Sequence, residues 1–177
     1  MTKVNTLFRS RKFLFYFIVL CLSGCERYYD KPLCGEYFVN KSIKSGLLKN
    51  TPTYKYPNQQ IIWYRCRAGE TFSKENCFGN PLKIDYLEAS AFAKDFSRAS
   101  GRSWRLPTVQ DAKVLIEKKC VNPAINTKVF PTVVSSNFWL ESGDKKLGCT
   151  LNTYNGSTLC RADLSDKNFV LLVTDDY

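Results

Sequence analysis

The chain has 177 residues, 44% of them hydrophobic, and a formal net charge of +10. This length suits one ordinary domain with a real core and makes two domains a poor fit. The chain contains no histidine, so it lacks the commonest general base and the commonest nitrogen ligand of zinc. Catalysis or zinc binding would have to rely on other side chains.

The first 25 residues combine a basic start, a short apolar stretch and a cysteine behind small residues. Residues 13–22 are uncharged, and as a helix they would rise about 15 Å against a hydrocarbon core of about 30 Å, which argues against a transmembrane anchor. The run Leu22-Ser23-Gly24-Cys25 resembles the lipobox of bacterial lipoproteins. The resemblance implies a signal peptide over residues 1–24. It also implies that Cys25 carries a diacylglycerol on its thiol and an acyl chain, such as palmitate, on its amine.

The residue after Cys25 indicates which membrane holds such an anchor. The lipoprotein resemblance associates Asp at this position with retention in the inner membrane, whereas this chain has Glu26. Several acyl chains together give stable anchoring. We therefore expect a protein anchored by its lipid in the outer membrane, on the periplasmic or the cell-surface face.

Removal of residues 1–24 leaves 22 basic and 16 acidic side chains, a net charge of +6. Outside the cytoplasm this charge favours lipid headgroups or anionic glycans over nucleic acid as partners. A solvated, soluble surface explains the same charge without a ligand.

Six cysteines remain once Cys21 leaves with the signal peptide and Cys25 is lipidated. They are Cys34, Cys66, Cys77, Cys120, Cys149 and Cys160. An even number in an exported protein is typical of three disulfides. No C-x-x-C motif occurs, and together with the lack of histidine this argues against a metal site. We expect no metal and no other cofactor.

Sequence alone allows fifteen pairings of these six cysteines. Two pairs are each eleven residues apart and enclose glycine-containing turns, which favours local disulfides. The third pair follows by elimination only, which leaves its pairing open. The favoured pairs are Cys66–Cys77 and Cys149–Cys160, with Cys34–Cys120 remaining.

The mature chain divides into an arm and a compact domain. Residues 25–58 mix Lys, Pro, Asn and Gly without a sustained period, which predicts a lipidated tether and an irregular arm. We predict that the compact domain covers residues 59–177. Residues 60–66 are β-branched and aromatic, which predicts its first strand, and a turn-rich segment follows over residues 68–81.

Two amphipathic helices are predicted next. Asp85 starts a D-x-x-E capping box, and apolar residues recur at helical spacing up to Gly101, a residue typical of a helix C-terminus. Thr108 caps the second helix, which we predict to continue to about Lys119. Strand-like stretches follow at 137–140, 147–151 and 169–173, with a hairpin turn at 154–157. This order predicts an α+β domain with two helices and a mainly antiparallel, irregular sheet, stapled by disulfides.

A set of short motifs occurs in a defined order between residues 60 and 175. They are Tyr64-Arg65-Cys66, Trp104-Arg105-Leu106-Pro107-Thr108, Pro123-Ala124-Ile125-Asn126-Thr127, Val129-Phe130-Pro131 and Phe138-Trp139. Their order and spacing resemble the Lcl C-terminal domain family. The Arg-Leu-Pro-Thr entry to a helix also resembles the formylglycine-generating-enzyme branch of C-type-lectin-like folds, which implies a fold of that kind by analogy.

The family resemblance implies sulfated glycosaminoglycan binding and adhesion, as in a member type that carries a collagen-like stalk. This chain has no Gly-X-Y stalk. The signatures of calcium-dependent lectins are absent, and six paired cysteines leave no counterpart of the reactive cysteine pair of formylglycine enzymes. We expect a non-enzymatic protein.

The run around Arg105 can be explained without a ligand. Trp104 and Leu106 would be buried, Pro107 would set φ for the first helical turn, and Thr108 would cap it. Arg105 is then expected to pair with a carboxylate or with strand carbonyls rather than with a ligand.

The remaining functional candidate is the basic surface, which would bind a polyanion. Its candidate residues are Arg98, Arg102, Lys118, Lys119, Lys145 and Lys146. Stabilisation of helix ends explains the first four without a ligand, whereas the last two, beside Gly143, have no such explanation. We expect an anionic glycan or an envelope protein as the partner. A purely structural role in the envelope and an unrecognised enzyme are the competing alternatives.

Overall fold

The computed structural model describes residues 31–40 and 50–175, and the described residues from 32 onward form one compact unit. The predicted signal peptide 1–24 and the predicted lipidation site Cys25 lie outside the described residues. The helices are α1 (Cys34–Asn40), α2 (Tyr86–Ser100) and α3 (Val109–Leu115). The strands are β1 (Thr53–Lys55), β2 (Ile62–Tyr64), β3 (Glu70–Ser73), β4 (Asn76–Gly79), β5 (Trp104–Arg105), β6 (Asn137–Leu140), β7 (Leu147–Asn152), β8 (Ser157–Asp163) and β9 (Val173–Thr174).

The strands form three sheets in which every pair of neighbouring strands is antiparallel. One sheet has the order β1-β2-β9-β5, the second is the hairpin β3-β4, and the third has the order β6-β7-β8. The predicted α+β class with mainly antiparallel strands is confirmed, although the described residues form three helices and three sheets rather than two helices and one sheet. The C-type-lectin-like part of that expectation stays a prediction.

Helix α2 begins and ends where its local sequence predicts. Asp85 accepts a hydrogen bond from the backbone N–H of Glu88, and the Glu88 carboxylate accepts one from the backbone N–H of Asp85. At the other end Gly101 adopts a left-handed conformation with φ of 69°, which costs glycine no steric strain. Both ends of α2 therefore depend on residues that lie within the helix or directly beside it in the sequence.

Helix α3 is shorter than predicted. Thr108 caps its start as expected, but the helix ends at Leu115 rather than near Lys119. Ile116 turns to an extended conformation and forms an isolated bridge with Ile125. The residues that follow pair with another part of the chain and do not continue the helix. Lys118 and Lys119 therefore lie in an exposed turn, and the explanation that they stabilise a helix end was wrong.

The folded domain begins before the predicted boundary at residue 59. Strand β1 lies within the predicted arm and pairs with β2 through Tyr54 opposite Trp63. The arm also contains α1, which begins at Cys34. The turn-rich segment 68–81 likewise contains the β3-β4 hairpin.

Two hydrophobic clusters share a central layer. The sequence predicts a strand over residues 169–173, but only Val173, the first residue of β9, has strand structure. Every residue of the segment is nevertheless buried. Its side chains alternate: Phe169, Leu171 and Val173 pack into one cluster, and Val170 and Leu172 into the other. Strand β6 alternates in the same way. The centre of the molecule is therefore buried on both faces.

Three disulfides join the six cysteines of the described chain. They are Cys34–Cys120, Cys66–Cys77 and Cys149–Cys160. The two local disulfides are the ones that the sequence separations favour, and the structure also forms the Cys34–Cys120 pair that the sequence left open. Two of the disulfides are local, whereas the third ties α1 to the turn after α3.

Candidate binding surfaces

Lys145 and Lys146 are exposed on the loop that joins β6 to β7. The loop is held by its own polar groups: the Ser142 hydroxyl donates to the Leu147 carbonyl at 2.6 Å, and the Lys146 backbone N–H donates to Asp144 Oδ1 at 2.7 Å. The two lysine side chains have no ion-pair partner within 4.0 Å among the described residues. The loop thus presents two lysines from an ordered backbone.

This loop lies in a mixed electrostatic environment. The backbone N–H of Ser142 donates to the Tyr86 hydroxyl at 2.9 Å, which places the loop beside the start of α2. Asp163 stands opposite Leu147 in the adjacent strand. Acidic side chains on this side therefore reduce the positive potential around Lys145 and Lys146.

Lys118 and Lys119 lie at the other end of the third sheet. Their turn leads into Cys120, and the next residues pair with the turn between β7 and β8, where the Asn122 N–H donates to the Tyr154 carbonyl at 2.9 Å. Strand β7 separates this end from the Lys145–Lys146 loop, and its six residues span about 20 Å. The two lysine pairs cannot form one compact site.

Arg98 and Arg102 lie at the C-terminal end of α2. Arg98 is in the last turn of α2 and forms an exposed ion pair with Asp95, and Arg102 is exposed just beyond the helix. Helix α2 rises about 18 Å from Tyr86 to Arg98, so these arginines are remote from the loop that contacts Tyr86. The six predicted residues are exposed as expected, but the structure does not bring them together.

A buried charged cluster escaped the sequence analysis. Arg65 donates from Nε to the Val129 carbonyl at 2.8 Å and from Nη2 to the Lys128 carbonyl at 3.0 Å, and burial lowers the pKa of its guanidinium. Arg67 donates from Nη2 to Glu70 Oε1 at 2.8 Å. The only signal in the sequence is two arginines on either side of a half-cystine next to a buried strand. Both arginines are buried, and their contacts hold neighbouring parts of the chain together.

Arg105 has the carboxylate partners that its motif predicts. It donates from Nη1 to Asp111 Oδ2 at 2.7 Å and from Nε to Asp175 Oδ2 at 3.0 Å. Burial opposes its charge, but the hydrogen bonds to Asp175 and Asp111 more than offset this and raise the pKa of the guanidinium. The prediction of a structural pairing for Arg105 is confirmed.

Residues 31–40 and 50–175 contain neither a metal-binding cluster nor a membrane-spanning helix. No group of three or more His, Cys, Asp or Glu side chains there is placed to hold a metal ion. None of the helices in those ranges is both long and apolar enough to cross a membrane. The prominent features are thus exposed cations and apolar side chains on a rigid, disulfide-linked body.

Fold and surface together define a small α+β domain with three disulfides and separated pairs of basic side chains. The chain belongs to the Lcl C-terminal domain family, whose model matches residues 53–174. The match starts at β1 and ends in β9, so it covers the three sheets of the described structure. Among curated proteins, no sequence matches this chain.

Proposed function

We propose that this protein is a lipid-anchored component of the outer membrane whose Lcl C-terminal domain is a non-enzymatic module that binds anionic glycans. The observation that carries the binding part is the loop with Lys145 and Lys146, which presents two exposed cations without ion-pair partners among the described residues. The lipobox-like run at Cys25 supports the anchor.

The fixed backbone of this loop favours binding, because little conformational freedom has to be lost when a ligand is bound. Affinity is nevertheless limited. Exposed charges act through a Debye length of about 8 Å at physiological salt, and Asp144 adjoins the lysines. We expect salt-sensitive binding with a Kd in the micromolar range or weaker, which corresponds to at most about 8 kcal/mol of binding free energy.

Retention on immobilised heparin tests the glycan proposal. The detergent-solubilised protein with Lys145→Glu/Lys146→Glu should elute at clearly lower salt than the unmodified protein. The matched control is Lys118→Glu/Lys119→Glu, which changes the net charge by the same amount at the other end of the sheet. Equal losses would indicate bulk charge rather than a site. Passage of the unmodified protein through heparin at low salt would contradict glycan binding altogether.

The anchor has a separate test. Cys25→Ser should leave an uncleaved precursor and should abolish labelling by a fatty-acid probe, because the thiol that accepts the diacylglycerol is gone. The measurement is gel mobility and in-gel fluorescence of the labelled protein. Cys21→Ser is a control with the same chemical change outside the lipobox cysteine. Continued lipidation of the Cys25 variant would refute the anchor.

A structural or protein-partner role in the envelope is the second candidate function. It is favoured by the separation of Lys145 and Lys146 from the other four basic residues, since one basic groove would suit a glycan chain better. The heparin experiment decides between the two candidates, because this role requires no retention.

A further inference from the structure

Four chain segments meet beside the Cys34–Cys120 disulfide. The bonds that hold them together join backbone to backbone or hydroxyl to backbone. They are Cys34 N–H to the Val121 carbonyl at 2.9 Å, Val121 N–H to the Pro32 carbonyl at 3.0 Å, Asn122 N–H to the Tyr154 carbonyl at 2.9 Å and Thr153 hydroxyl to the Val134 carbonyl at 2.6 Å. Residues 32–34, 120–122, 134 and 153–154 are therefore neighbours in one ordered junction.

The junction exposes large apolar side chains. Leu33 and Val134 are each 41% exposed, and Tyr154 is 47% exposed. The turn with Lys118 and Lys119 leads directly into this junction through Cys120. We call Leu33, Val134, Tyr154, Lys118 and Lys119 the anchor face. It combines apolar and aromatic side chains with two cations, which is the composition of surfaces that rest on anionic lipid headgroups.

The length of chain before this face limits its distance from the proposed anchor. Eight residues separate Cys25 from Leu33, and eight residues span at most about 29 Å when fully extended. The Cys34–Cys120 disulfide prevents the arm from detaching from the face. A lipid on Cys25 would therefore keep the anchor face close to the membrane surface.

The opposite end of the third sheet suits a membrane less well. Leu147 is also exposed there, but Asp144 and Asp163 adjoin it and offset the charges of Lys145 and Lys146. At the anchor face, Glu117 is partly buried and Glu36 is exposed in the first turn of α1. The two ends differ mainly in their distance from the arm, since the far end of β7 lies about 20 Å beyond the junction.

We infer that the anchor face lies against the anionic lipid headgroups of the membrane that holds the lipid of Cys25. This inference rests on the anchoring proposed above. The domain is then oriented on the membrane, with the Lys145–Lys146 loop on the far side of the third sheet.

Tryptophan quenching by brominated lipid tests this orientation. The three natural tryptophans, Trp63, Trp104 and Trp139, are buried, so an added surface indole reports its own surroundings. Full-length lipidated protein with Tyr154→Trp is reconstituted into vesicles of brominated phosphatidylglycerol. The matched control is Leu147→Trp, at a position 39% exposed at the far end of β7. We expect the quenching added by Tyr154→Trp to be at least twofold larger than that added by Leu147→Trp.

Charge is tested with the same reporter. In vesicles of brominated phosphatidylcholine the quenching of the Tyr154→Trp protein should fall, because the lysines lose their anionic partners. Adding Lys118→Gln/Lys119→Gln should reduce quenching in phosphatidylglycerol, whereas Lys145→Gln/Lys146→Gln should not. Equal effects of the two lysine pairs, or equal quenching in both lipids, would contradict the choice of anionic headgroups.

Equal quenching of the two tryptophan variants, or quenching of Leu147→Trp alone, would overturn the inference. Absence of quenching with a concentration-dependent dimer would assign the anchor face to a second copy of the chain and would also overturn it. Intact mass spectrometry of the same samples reports the lipid on Cys25. A lipidated protein without the expected quenching refutes only the orientation, whereas an unlipidated protein refutes the anchor itself.

Discussion

Glu70 compensates a buried positive charge. Its carboxylate accepts hydrogen bonds from the Arg67 guanidinium at 2.8 and 3.1 Å, from the Arg67 backbone N–H at 3.0 Å and from the Thr132 hydroxyl at 2.9 Å. Both charged residues are buried. Removing one charge would leave the other without a partner in a poorly solvated place.

Glu70→Gln should therefore lower the free energy of unfolding by about 3–5 kcal/mol, the usual cost of breaking a buried ion pair. Urea unfolding monitored by circular dichroism measures it. Glu141→Gln is the matched control at an exposed position, where a change within about 0.5 kcal/mol is expected. Similar small losses in both variants would show that the buried pair contributes little.

Single residues differ in how far the sequence predicts their contacts. The pairing of Arg105 follows from a local motif, since Asp111 is six residues away. Arg65 instead donates to carbonyls 63 and 64 residues further along the chain. No local pattern indicates such partners, so the burial of Arg65 became evident only from the fold.

Among the elements, α2 and α3 show the same contrast between local and distant causes. The ends of α2 depend on Asp85, Glu88 and Gly101, which lie within the helix or directly beside it in the sequence. Both ends match the prediction. The end of α3 depends on the bridge between Ile116 and Ile125. Such tertiary pairing overrides the helical preference of the sequence that follows.

The disulfides differ in the length of chain that they close. Cys34–Cys120 closes a separation of 86 residues, and Cys149–Cys160 one of 11. In the chain-entropy model these correspond to about 4.6 and about 3 kcal/mol. Cys34→Ala/Cys120→Ala should thus lower the free energy of unfolding more than Cys149→Ala/Cys160→Ala, as measured by urea unfolding. A larger loss from the second pair would contradict the entropic account.

At the scale of the whole molecule, the sequence predicts the class of fold but not the arrangement of the charges. Helices, antiparallel strands and an even number of cysteines are properties of local segments, and together they predict an α+β domain. The separation of Lys118 and Lys119 from Lys145 and Lys146 depends on the direction of β7. That direction is a result of sheet pairing, which the positions of the lysines in the chain do not reveal.

The buried segment 169–173 has a consequence for the order of folding. Apart from β9, which begins at its last residue, every described helix and strand precedes this segment in the chain. Both hydrophobic clusters nevertheless need its side chains. Val173 pairs with Trp63 in β2 and with Arg105 in β5, so the central sheet closes only after about 110 intervening residues have been synthesised. Contacts of this range slow folding. A nascent chain that still lacks residues 169–173 therefore remains without a completed core, and the domain can finish folding only after nearly all of its residues have been synthesised.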